Sequence, residues 1–481
     1  MAGKEAYLNS SQKQFGEKCA VFGVYALEDR QDVARTTADG LHALQHRGQE
    51  GSGISTSDGT KIHVHKRKGL VKQVYDDEEP ASFNFDSLPG NMATGHNRYS
   101  TSFGPSENHL QPVIDNSKTL TLAHNGNLPD TTILEQFLDT KGIETSNLND
   151  TEMMHAAILY FKDRGASLGE AVITSIPFFK GAFSFLAMDE QQIVAARDEC
   201  GIRPFSIGRL NGSYVFSSET CALDAIGAIY IRDINPGEIV IASENGLLST
   251  EHSEGNQKLD IFEFIYFARP DSILLEKSVL EVRKNLGKMA AREDHHNADI
   301  VIDVPDSGTP GAIGYAQESG IPYEQGFIKN RYTGRTFQRP GQDRRRSEVL
   351  QKLNPVKAVL WNRRVIVVDD SIVRATTARE IVKMLRNAGA REVRMVITSS
   401  PVKFPDYYGI DTPDQSALIG ASKSVSEICE SIGADSLQFL TYNGMIKAIG
   451  LPEDKLSTSC FTGEYPIDIG KRREEIVYQQ S

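Results

Sequence analysis

The chain has few cysteines and no long apolar run. Its 481 residues include five cysteines, which are widely scattered and form no Cys-x-x-Cys pair. Neither a disulfide framework nor a zinc knuckle is therefore expected, and a reducing, cytoplasmic environment is predicted. No apolar stretch approaches the roughly 20 residues that span a bilayer, so we expect no transmembrane helix and no membrane partner.

Basic residues are outnumbered by acidic ones. The chain carries 64 Asp and Glu residues against 52 Lys and Arg residues, for a formal net charge of −12. Such a charge repels polyphosphates at long range and argues against a nucleic-acid-binding surface. The length exceeds the size at which one hydrophobic core normally stops growing, so two domains of roughly 200 residues each are expected.

Short β segments and turn signals predict an α+β fold for the N-terminal part. Hairpins are predicted around Asn211 and Gly212 and around Asn245 and Gly246, because Asn-Gly pairs favour tight turns. A helix is predicted over residues 152–161, whose apolar side chains crowd one face after a cap signal. Sheets covered by helices are the expected arrangement.

The C-terminal part alternates strands and helices. Residues 300–302 (IVI) and 365–368 (VIVV) are continuous β-branched runs, as in strands that are buried on both faces of a parallel sheet. A loop and a helical pattern follow each run, which predicts an α/β domain. The polar stretch 251–257 (EHSEGNQ) is the predicted linker.

A polar loop follows the second run. Asp369 and Asp370 end the strand, residues 371–377 form the loop, and a helix is predicted from Ala378. Loop amides and a helix N-terminus at a strand end present N–H donors to phosphate. Two adjacent carboxylates would repel phosphate, so ribose hydroxyls and a Mg²⁺ ion are their expected partners. A solvated acidic strand end is the alternative for such a pair on its own.

The segment DDSIVRATT (369–377) resembles the phosphoribosyl-diphosphate loop of type I phosphoribosyltransferases and, in its full form, that of the amidophosphoribosyltransferase family. Residues 304–311 (VPDSGTPG) and 329–337 (KNRYTGRTF) are similar to that family's second strand-end loop and its flexible catalytic loop. Residues 266–272 (YFARPDS) are similar to the start of its transferase domain. An exposed basic loop is the alternative interpretation of KNRYTGR alone.

The resemblance implies ligands for each substrate group. One Mg²⁺ per subunit would be held by Ser307, Asp369 and Asp370. The diphosphate would meet Lys329, Arg331 and Arg335. The residues that would hold the 5-phosphate of the substrate are Ser371, Ile372, Val373, Arg374, Ala375, Thr376 and Thr377.

Cys19 opens an apolar segment, for which a buried, inert thiol is the usual interpretation. Other segments favour a reactive cysteine: LQHRGQEGSG (44–53), GHNRYST (95–101), AHNGNL (123–128) and NDTE (149–152). Together with Cys19 they resemble the glutamine amidotransferase domain of the N-terminal-nucleophile class, over residues 19 to about 250.

This second resemblance implies a glutamine site. Cys19 would be the nucleophile, activated by its own free amine, whose near-neutral pKa suits a base. Arg98 would bind the carboxylate of glutamine and Asp150 its ammonium group. Asn125 and the Gly126 amide would form the oxyanion hole. A hairpin turn is the alternative explanation of HNGN alone.

An amine base requires Cys19 to be the first residue of the mature chain. Residues 1–18 lack the apolar core of a secretory signal, and we predict that they are a propeptide lost by self-cleavage. The predicted domains are a glutaminase domain over 19–255 and a phosphoribosyltransferase domain over 256–481. The predicted fold is an N-terminal-nucleophile αββα sandwich followed by a type I phosphoribosyltransferase parallel-sheet domain.

Two features depart from the family pattern. Many propeptide-bearing members hold a [4Fe-4S] cluster on four cysteines, whose positions here are occupied by Asp260, Asp406, Ser457 and Cys460. With one thiolate of four remaining, we predict no iron–sulfur cluster. Ala375 stands where the family usually has glycine, which costs about 1–2 kcal/mol if φ is positive there.

The two resemblances imply one enzyme, a glycosyltransferase that makes 5-phosphoribosylamine, glutamate and diphosphate from glutamine and 5-phosphoribosyl 1-diphosphate. This is the first committed step of purine biosynthesis. A homo-oligomer, dimer or tetramer, and feedback inhibition by purine nucleotides are also implied. One alternative is a glutaminase joined to a different acceptor domain, which the acidic pair disfavours. The other is a regulatory module as in purine repressors, which the net charge and the missing DNA-binding segment disfavour.

Overall fold

The computed structural model describes residues 19–27, 32–76, 83–99, 109–294, 297–330, 353–410, 412 and 414–477. Residues up to 255 are called the N-terminal half here, and those from 256 the C-terminal half. No helix within the described ranges is long and apolar enough to cross a membrane.

Thirteen strands of the N-terminal half form two antiparallel sheets. The strands are β1 (Ala20–Tyr25), β2 (Gly51–Ser57), β3 (Ile62–Lys68), β4 (Met92–Arg98), β5 (Val113–Ile114), β6 (Thr121–Asp130), β7 (Lys180–Met188), β8 (Ile193–Arg197), β9 (Ser206–Leu210), β10 (Ser213–Ser217), β11 (Ile229–Asp233), β12 (Glu238–Ser243) and β13 (Gly246–Glu251). The first sheet has the order β11-β9-β10-β1-β4-β2-β3 and the second the order β13-β12-β8-β7-β6-β5.

Helices cover the outer faces of both sheets. They are α1 (Val33–Ala43), α2 (Val71–Val74), α3 (Thr132–Thr140), α4 (Asp150–Lys162), α5 (Leu168–Ser175) and α6 (Thr220–Ala225). Along β1, Phe22 packs toward Leu41 of α1, whereas Val21 packs toward Leu186 of the second sheet. This alternation, which follows from the two-residue period of a strand, gives the predicted αββα sandwich.

Both predicted hairpins are confirmed. Asn211 and Gly212, with φ of 46° and 88°, join β9 to β10, as a tight hairpin turn requires. Gly246 begins β13 directly after the turn from β12. The helix predicted over 152–161 begins earlier, at Asp150, because the Asn149 side chain caps it by accepting from the Glu152 amide.

The C-terminal half is built on a parallel sheet of four strands, in the order β17-β20-β21-β22. The strands of the whole C-terminal half are β14 (Leu259–Asp260), β15 (Ile273–Leu274), β16 (Lys277–Ser278), β17 (Ile300–Asp303), β18 (Phe327–Lys329), β19 (Leu353–Pro355), β20 (Arg364–Asp369), β21 (Glu392–Ile397), β22 (Ser436–Phe439) and β23 (Leu456–Ser457). Its helices are α7 (Val279–Glu293), α8 (Thr309–Ser319), α9 (Lys357–Leu360), α10 (Thr376–Asn387), α11 (Ile419–Ser422), α12 (Val425–Ile432), α13 (Tyr442–Ile449) and α14 (Ser459–Thr462).

Helices bury both faces of this sheet. Val301 and Ile366 pack with Leu286 of α7 on one face, and Ile302 and Val367 pack in a second core on the other. The two β-branched runs are thus the parallel strands β17 and β20, as predicted. The helix after β20 begins at Thr376, two residues before the predicted Ala378.

The two halves are in extensive contact. The polar stretch 251–257 lies against the N-terminal half, where the Asn256 amide donates to the Glu199 carbonyl and His252 bonds the Arg197 carbonyl. Near the C-terminus, Ile467 and Ile469 pack in a buried cluster with Ala182 of β7. The chain therefore returns to its N-terminal half after completing the parallel sheet.

Candidate active sites

Cys19 directly precedes β1, which runs between β4 and β10 in the first sheet. Burial raises the pKa of its thiol, whereas a hydrogen bond from the Tyr99 backbone and the charge of Arg98 lower that pKa. The charge of Asp150 raises it. The two predicted glutamine ligands, Arg98 and Asp150, are therefore both within electrostatic reach of the sulfur.

Asn125 and Gly126 lie on β6, in the facing sheet. Asn125 is buried, and its Nδ2 donates to Ser218 Oγ at 3.4 Å. The same Oγ accepts from the Val21 amide at 2.9 Å, two residues after the cysteine. Ser218 thus connects the predicted oxyanion residue to β1, the strand that directly follows Cys19.

Position 126 admits glycine alone. Its φ is 155°, and a Cβ there would lie 2.0 Å from the Ala182 carbonyl oxygen and 2.7 Å from His124 Nε2. The backbone of β7 therefore approaches this residue more closely than any side chain allows. The alternative of an ordinary hairpin turn is wrong, because residues 123–128 lie within a continuous strand.

Asp150 is the first residue of α4. Its carboxylate accepts from the Leu128 amide at 3.2 Å and from the Thr151 amide at 2.8 Å. Arg98, the last residue of β4, is buried and donates to the His109 carbonyl. Both charged groups are held by backbone contacts, which keeps them rigid before a ligand binds.

Arg47 was not assigned a role from the sequence, although it lies in the segment LQHRGQEGSG. Its guanidinium is buried, and Nε donates to the Cys19 carbonyl at 3.4 Å. Ser218 was also missed. The segment around Arg47 indicated the domain but not this contact, and no motif marked Ser218, which reaches the site from a distant point of the chain.

In the C-terminal half, Asp369 ends β20 and Asp370 follows it, both buried. Burial and the charge of Asp370 raise the pKa of Asp369 well above its usual value. Burial also raises the pKa of Asp370, against which hydrogen bonds from Ser307 and Ser371 act. The predicted metal ligands Ser307 and Asp370 are thus in direct contact.

These side chains fit a Mg²⁺ ion. Within the described ranges, no ion pair joins Asp369 or Asp370 to a lysine or arginine, and burial is the main cause of the raised pKa of both carboxyl groups. Mg²⁺ prefers such oxygen donors, usually one or two carboxylates completed by water and substrate phosphates. The described residues contain no cluster of three or more His, Cys, Asp or Glu side chains arranged for a metal.

The loop 371–377 joins β20 to α10. Ile372, Val373 and Ala375 are buried and anchor it, while Thr376 at the start of α10 is exposed. Ala375 has a φ of 58° and a ψ of −3°, in the left-handed region. Because φ is positive, the predicted cost of about 1–2 kcal/mol for alanine at this position applies.

Lys329 ends β18 and forms an ion pair with Asp306 of the second strand-end loop. This contact joins a predicted diphosphate ligand to the loop that contains Ser307, a predicted Mg²⁺ ligand. Arg331 and Arg335 lie outside the described residues.

The four positions considered above for an iron–sulfur cluster lie near one another. Asp260 pairs with Ser457 between β14 and β23, and the charges of Asp260 and Asp406 act on the buried Cys460 thiol. Between the two carboxylates lies the guanidinium of Arg203, which contacts Asp260 at 2.9 Å and Asp406 at 3.6 Å. One thiol and two carboxylates that are paired with an arginine do not fit a cluster that needs thiolate ligands.

Known proteins resemble this chain over almost its whole length. A family model described as a glutamine amidotransferase domain matches residues 96–225. The amidophosphoribosyltransferase of Bacillus subtilis is 44% identical over 465 residues, which cover 95% of this chain and 96% of that protein. That of Synechocystis sp. is 46% identical over 460 residues, which cover 94% and 92%. The chain belongs to the amidophosphoribosyltransferase family.

Solved structures agree with this assignment. The glutamine phosphoribosylpyrophosphate amidotransferase of B. subtilis, complexed with ADP and GMP, has a TM-score of 0.85 at 44% identity and covers 94% of this chain and 98% of its own. A structure described as the allosteric regulatory enzyme of purine biosynthesis has a TM-score of 0.87 at 43% identity, with 96% and 99% covered. As an amidophosphoribosyltransferase, the chain uses glutamine to convert 5-phosphoribosyl 1-diphosphate to 5-phosphoribosylamine. The alternatives of another acceptor domain and of a regulatory module are wrong.

Proposed function

We propose that Cys19 hydrolyses glutamine and that the ammonia released attacks the phosphoribosyl substrate bound at Asp369, Asp370 and the loop 371–377. The observation that carries this proposal is the link through Ser218, which holds Asn125 beside β1, the strand that directly follows Cys19. That link supports a nucleophile and an oxyanion donor acting on one carbonyl group.

Glutamine hydrolysis takes two steps. Burial raises the pKa of the Cys19 thiol, so a base is needed, and the free amine of Cys19 accepts the thiol proton. The sulfur attacks the side-chain amide carbon, and the oxyanion is stabilised by Asn125 and the Gly126 amide, at roughly 2.7–4 kcal/mol for one donor. Collapse expels ammonia, which takes up the proton, and leaves a thioester that water hydrolyses to glutamate.

Arg98 and Asp150 orient the glutamine substrate. Arg98 pairs with the carboxylate of glutamine, because a guanidinium matches a carboxylate in shape as well as charge. Asp150 binds the ammonium group. The carbonyl to be attacked is thereby aimed at Cys19.

Transfer takes place in the C-terminal half. Residues Ser371 to Thr377 bind the 5-phosphate, and Lys329, Arg331 and Arg335 bind the diphosphate. A Mg²⁺ ion held by Ser307, Asp369 and Asp370 would neutralise charge on the diphosphate as it leaves. Ammonia forms the new bond to C1 as the C1–oxygen bond breaks, and diphosphate departs.

The amine base requires removal of residues 1–18, so the mature domains are 19–255 and 256–481. We also propose that purine nucleotides inhibit the enzyme, since a 44% identical relative has been solved with ADP and GMP. A homo-oligomer, dimer or tetramer, is proposed as well. A cytoplasmic location is supported by five cysteines that form no disulfide.

Cys19→Ser tests whether glutamine hydrolysis and phosphoribosyl transfer are carried out by separate sites. The variant should lose glutamine-dependent diphosphate release and retain the ammonia-dependent reaction, because transfer does not use the thiol. N-terminal sequencing of active enzyme should begin at Cys19. Activity in a chain that still begins at Met1 would refute the amine base.

A further inference from the structure

A buried ion network crosses the boundary between the two halves. Glu263 is fully buried in the C-terminal half, in a single π-helical turn, Glu263–Phe267. Its carboxylate accepts two hydrogen bonds from Arg47, at 2.7 and 2.9 Å, and one from Arg203 at 3.1 Å. Both arginines are buried and belong to the N-terminal half. One carboxylate therefore binds two arginines of the other half. The π turn that carries it is a further indication, because such turns occur often at functional sites.

Arg47 leads from this carboxylate to the nucleophile. Its Nε donates to the Cys19 carbonyl at 3.4 Å, and its Nη1 donates to the buried Glu219 at 2.5 Å. The Glu219 carboxylate in turn accepts from Ser272 Oγ at 2.6 Å, again in the C-terminal half. The backbone that carries the thiol thus depends on carboxylates that hold Arg47 from two sides.

Arg203 leads to the oxyanion hole. It donates from Nε and Nη2 to the Tyr408 carbonyl at 3.2 and 3.1 Å. The preceding carbonyl, of Tyr407, accepts from Asn127 at 2.8 Å. The next residue, Gly409, lies so near Gly126 that a Cβ on Gly409 would be 3.0 Å from the Gly126 carbonyl carbon. Loop 407–409 of the C-terminal half therefore abuts the oxyanion residue.

We propose that Glu263 is a positioning residue for glutamine hydrolysis: it holds Arg47 against the Cys19 carbonyl and Arg203 against the loop that supports Gly126. This rests on the proposed roles of Cys19 and Gly126. Glu263 touches no substrate, and it acts by fixing the distance between nucleophile and oxyanion donors. The glutaminase site is then incomplete without a carboxylate of the transferase half.

Glu263→Gln in the full, processed chain tests this proposal, because it keeps the volume and removes the charge. The kcat for glutamine should fall at least about tenfold, since small misplacements of reacting groups have effects of that order. The KM for glutamine should change less, and the ammonia-dependent rate should remain. Arg203→Lys, which keeps the charge and loses the forked contact to Tyr408, should give the same division.

The matched control is Glu238→Gln. Glu238 is also buried and also paired with an arginine through two bonds, at 2.6 and 2.7 Å to Arg232, yet both residues lie in the N-terminal half. Loss of a buried carboxylate there should leave both rates unchanged. Cys19→Ser run in parallel separates the two hypotheses: if it retains glutamine-dependent activity, the proposed function fails, whatever Glu263→Gln does.

Three outcomes overturn the inference. The glutamine-dependent kcat of Glu263→Gln stays at the parental value; or both nitrogen sources lose activity together; or neither variant folds, as judged by circular dichroism. The last two assign Glu263 to the stability of the whole fold rather than to glutamine hydrolysis.

Discussion

Gly126→Ala should remove the glutaminase activity and spare transfer. A Cβ at this position would lie 2.0 Å from the Ala182 carbonyl oxygen, whereas Cβ contacts below 3.0 Å essentially do not occur. The backbone of β6 or β7 must therefore shift by about 1 Å, and a shift of that size lowers the rate of the reaction about 100-fold. Loss of one oxyanion donor costs a similar amount, about 100- to 1,000-fold in kcat. We expect the glutamine-dependent kcat to fall within that range.

The assay measures diphosphate release with glutamine and, separately, with ammonia. Gly142→Ala is the matched control, because Gly142 has a φ of 75° and no atom within 4 Å of an added Cβ. That variant suffers the backbone strain without the clash, and its rates should match the parent. A folded Gly126→Ala protein whose glutamine-dependent kcat stays within about threefold of the parent would refute the assignment of an oxyanion hole here.

Three further predictions concern charge. Arg98→Met should raise the KM for glutamine about 10- to 150-fold, because the loss of a hydrogen bond to a charged group has an effect of that size. The ammonia-dependent rate is the internal control and should not change. An unchanged KM would contradict the role of Arg98 in binding the glutamine carboxylate. Asp370→Asn should lower the rate of diphosphate release about 100-fold or more with either nitrogen source, because a cation loses its ligand. A rate that falls with glutamine but not with ammonia would contradict the role of Asp370 as a metal ligand. Burial and the charge of Asp260 raise the pKa of Asp406 to about 7. The folded protein therefore keeps a proton that the unfolded chain has lost, and the free energy of unfolding should fall as pH rises from about 4 to about 7. Asp406→Asn should flatten this slope in urea titrations at several pH values, and an equally steep slope would exclude Asp406 as its source.

Local patterns in the sequence predicted the parts of the fold that depend on local rules. The β-branched runs predicted β17 and β20, and Asn211 with Gly212 predicted a hairpin, because period and turn conformation are properties of neighbouring residues. Motif resemblance singled out Arg98 and Asp150, and the structure places both within electrostatic reach of the Cys19 thiol. Helix starts were displaced by up to two residues, since a single capping side chain such as Asn149 decides them.

Buried charges escaped prediction for a physical reason. Arg47 and Glu263 are 216 residues apart in sequence. Glu263 stands in the apolar run 261–267 (IFEFIYF), but nothing in either segment indicates which opposite charge it meets. A charged side chain is normally exposed, so a pattern of polar residues predicts surface. Only the three-dimensional structure shows which carboxylate and which guanidinium compensate each other inside the protein.

The same network holds Asp260 and Asp406 close together. Both carboxylates belong to the C-terminal half and share the guanidinium of Arg203, which belongs to the N-terminal half. Buried ion pairs contribute little net stability, because desolvation offsets their attraction, but they tolerate few alternative geometries. Replacing the pairs with apolar side chains of equal volume can therefore leave the free energy of unfolding nearly unchanged. For this reason, the ratio of glutamine-dependent to ammonia-dependent rates, rather than a melting temperature, is the measurement that reports what the network does.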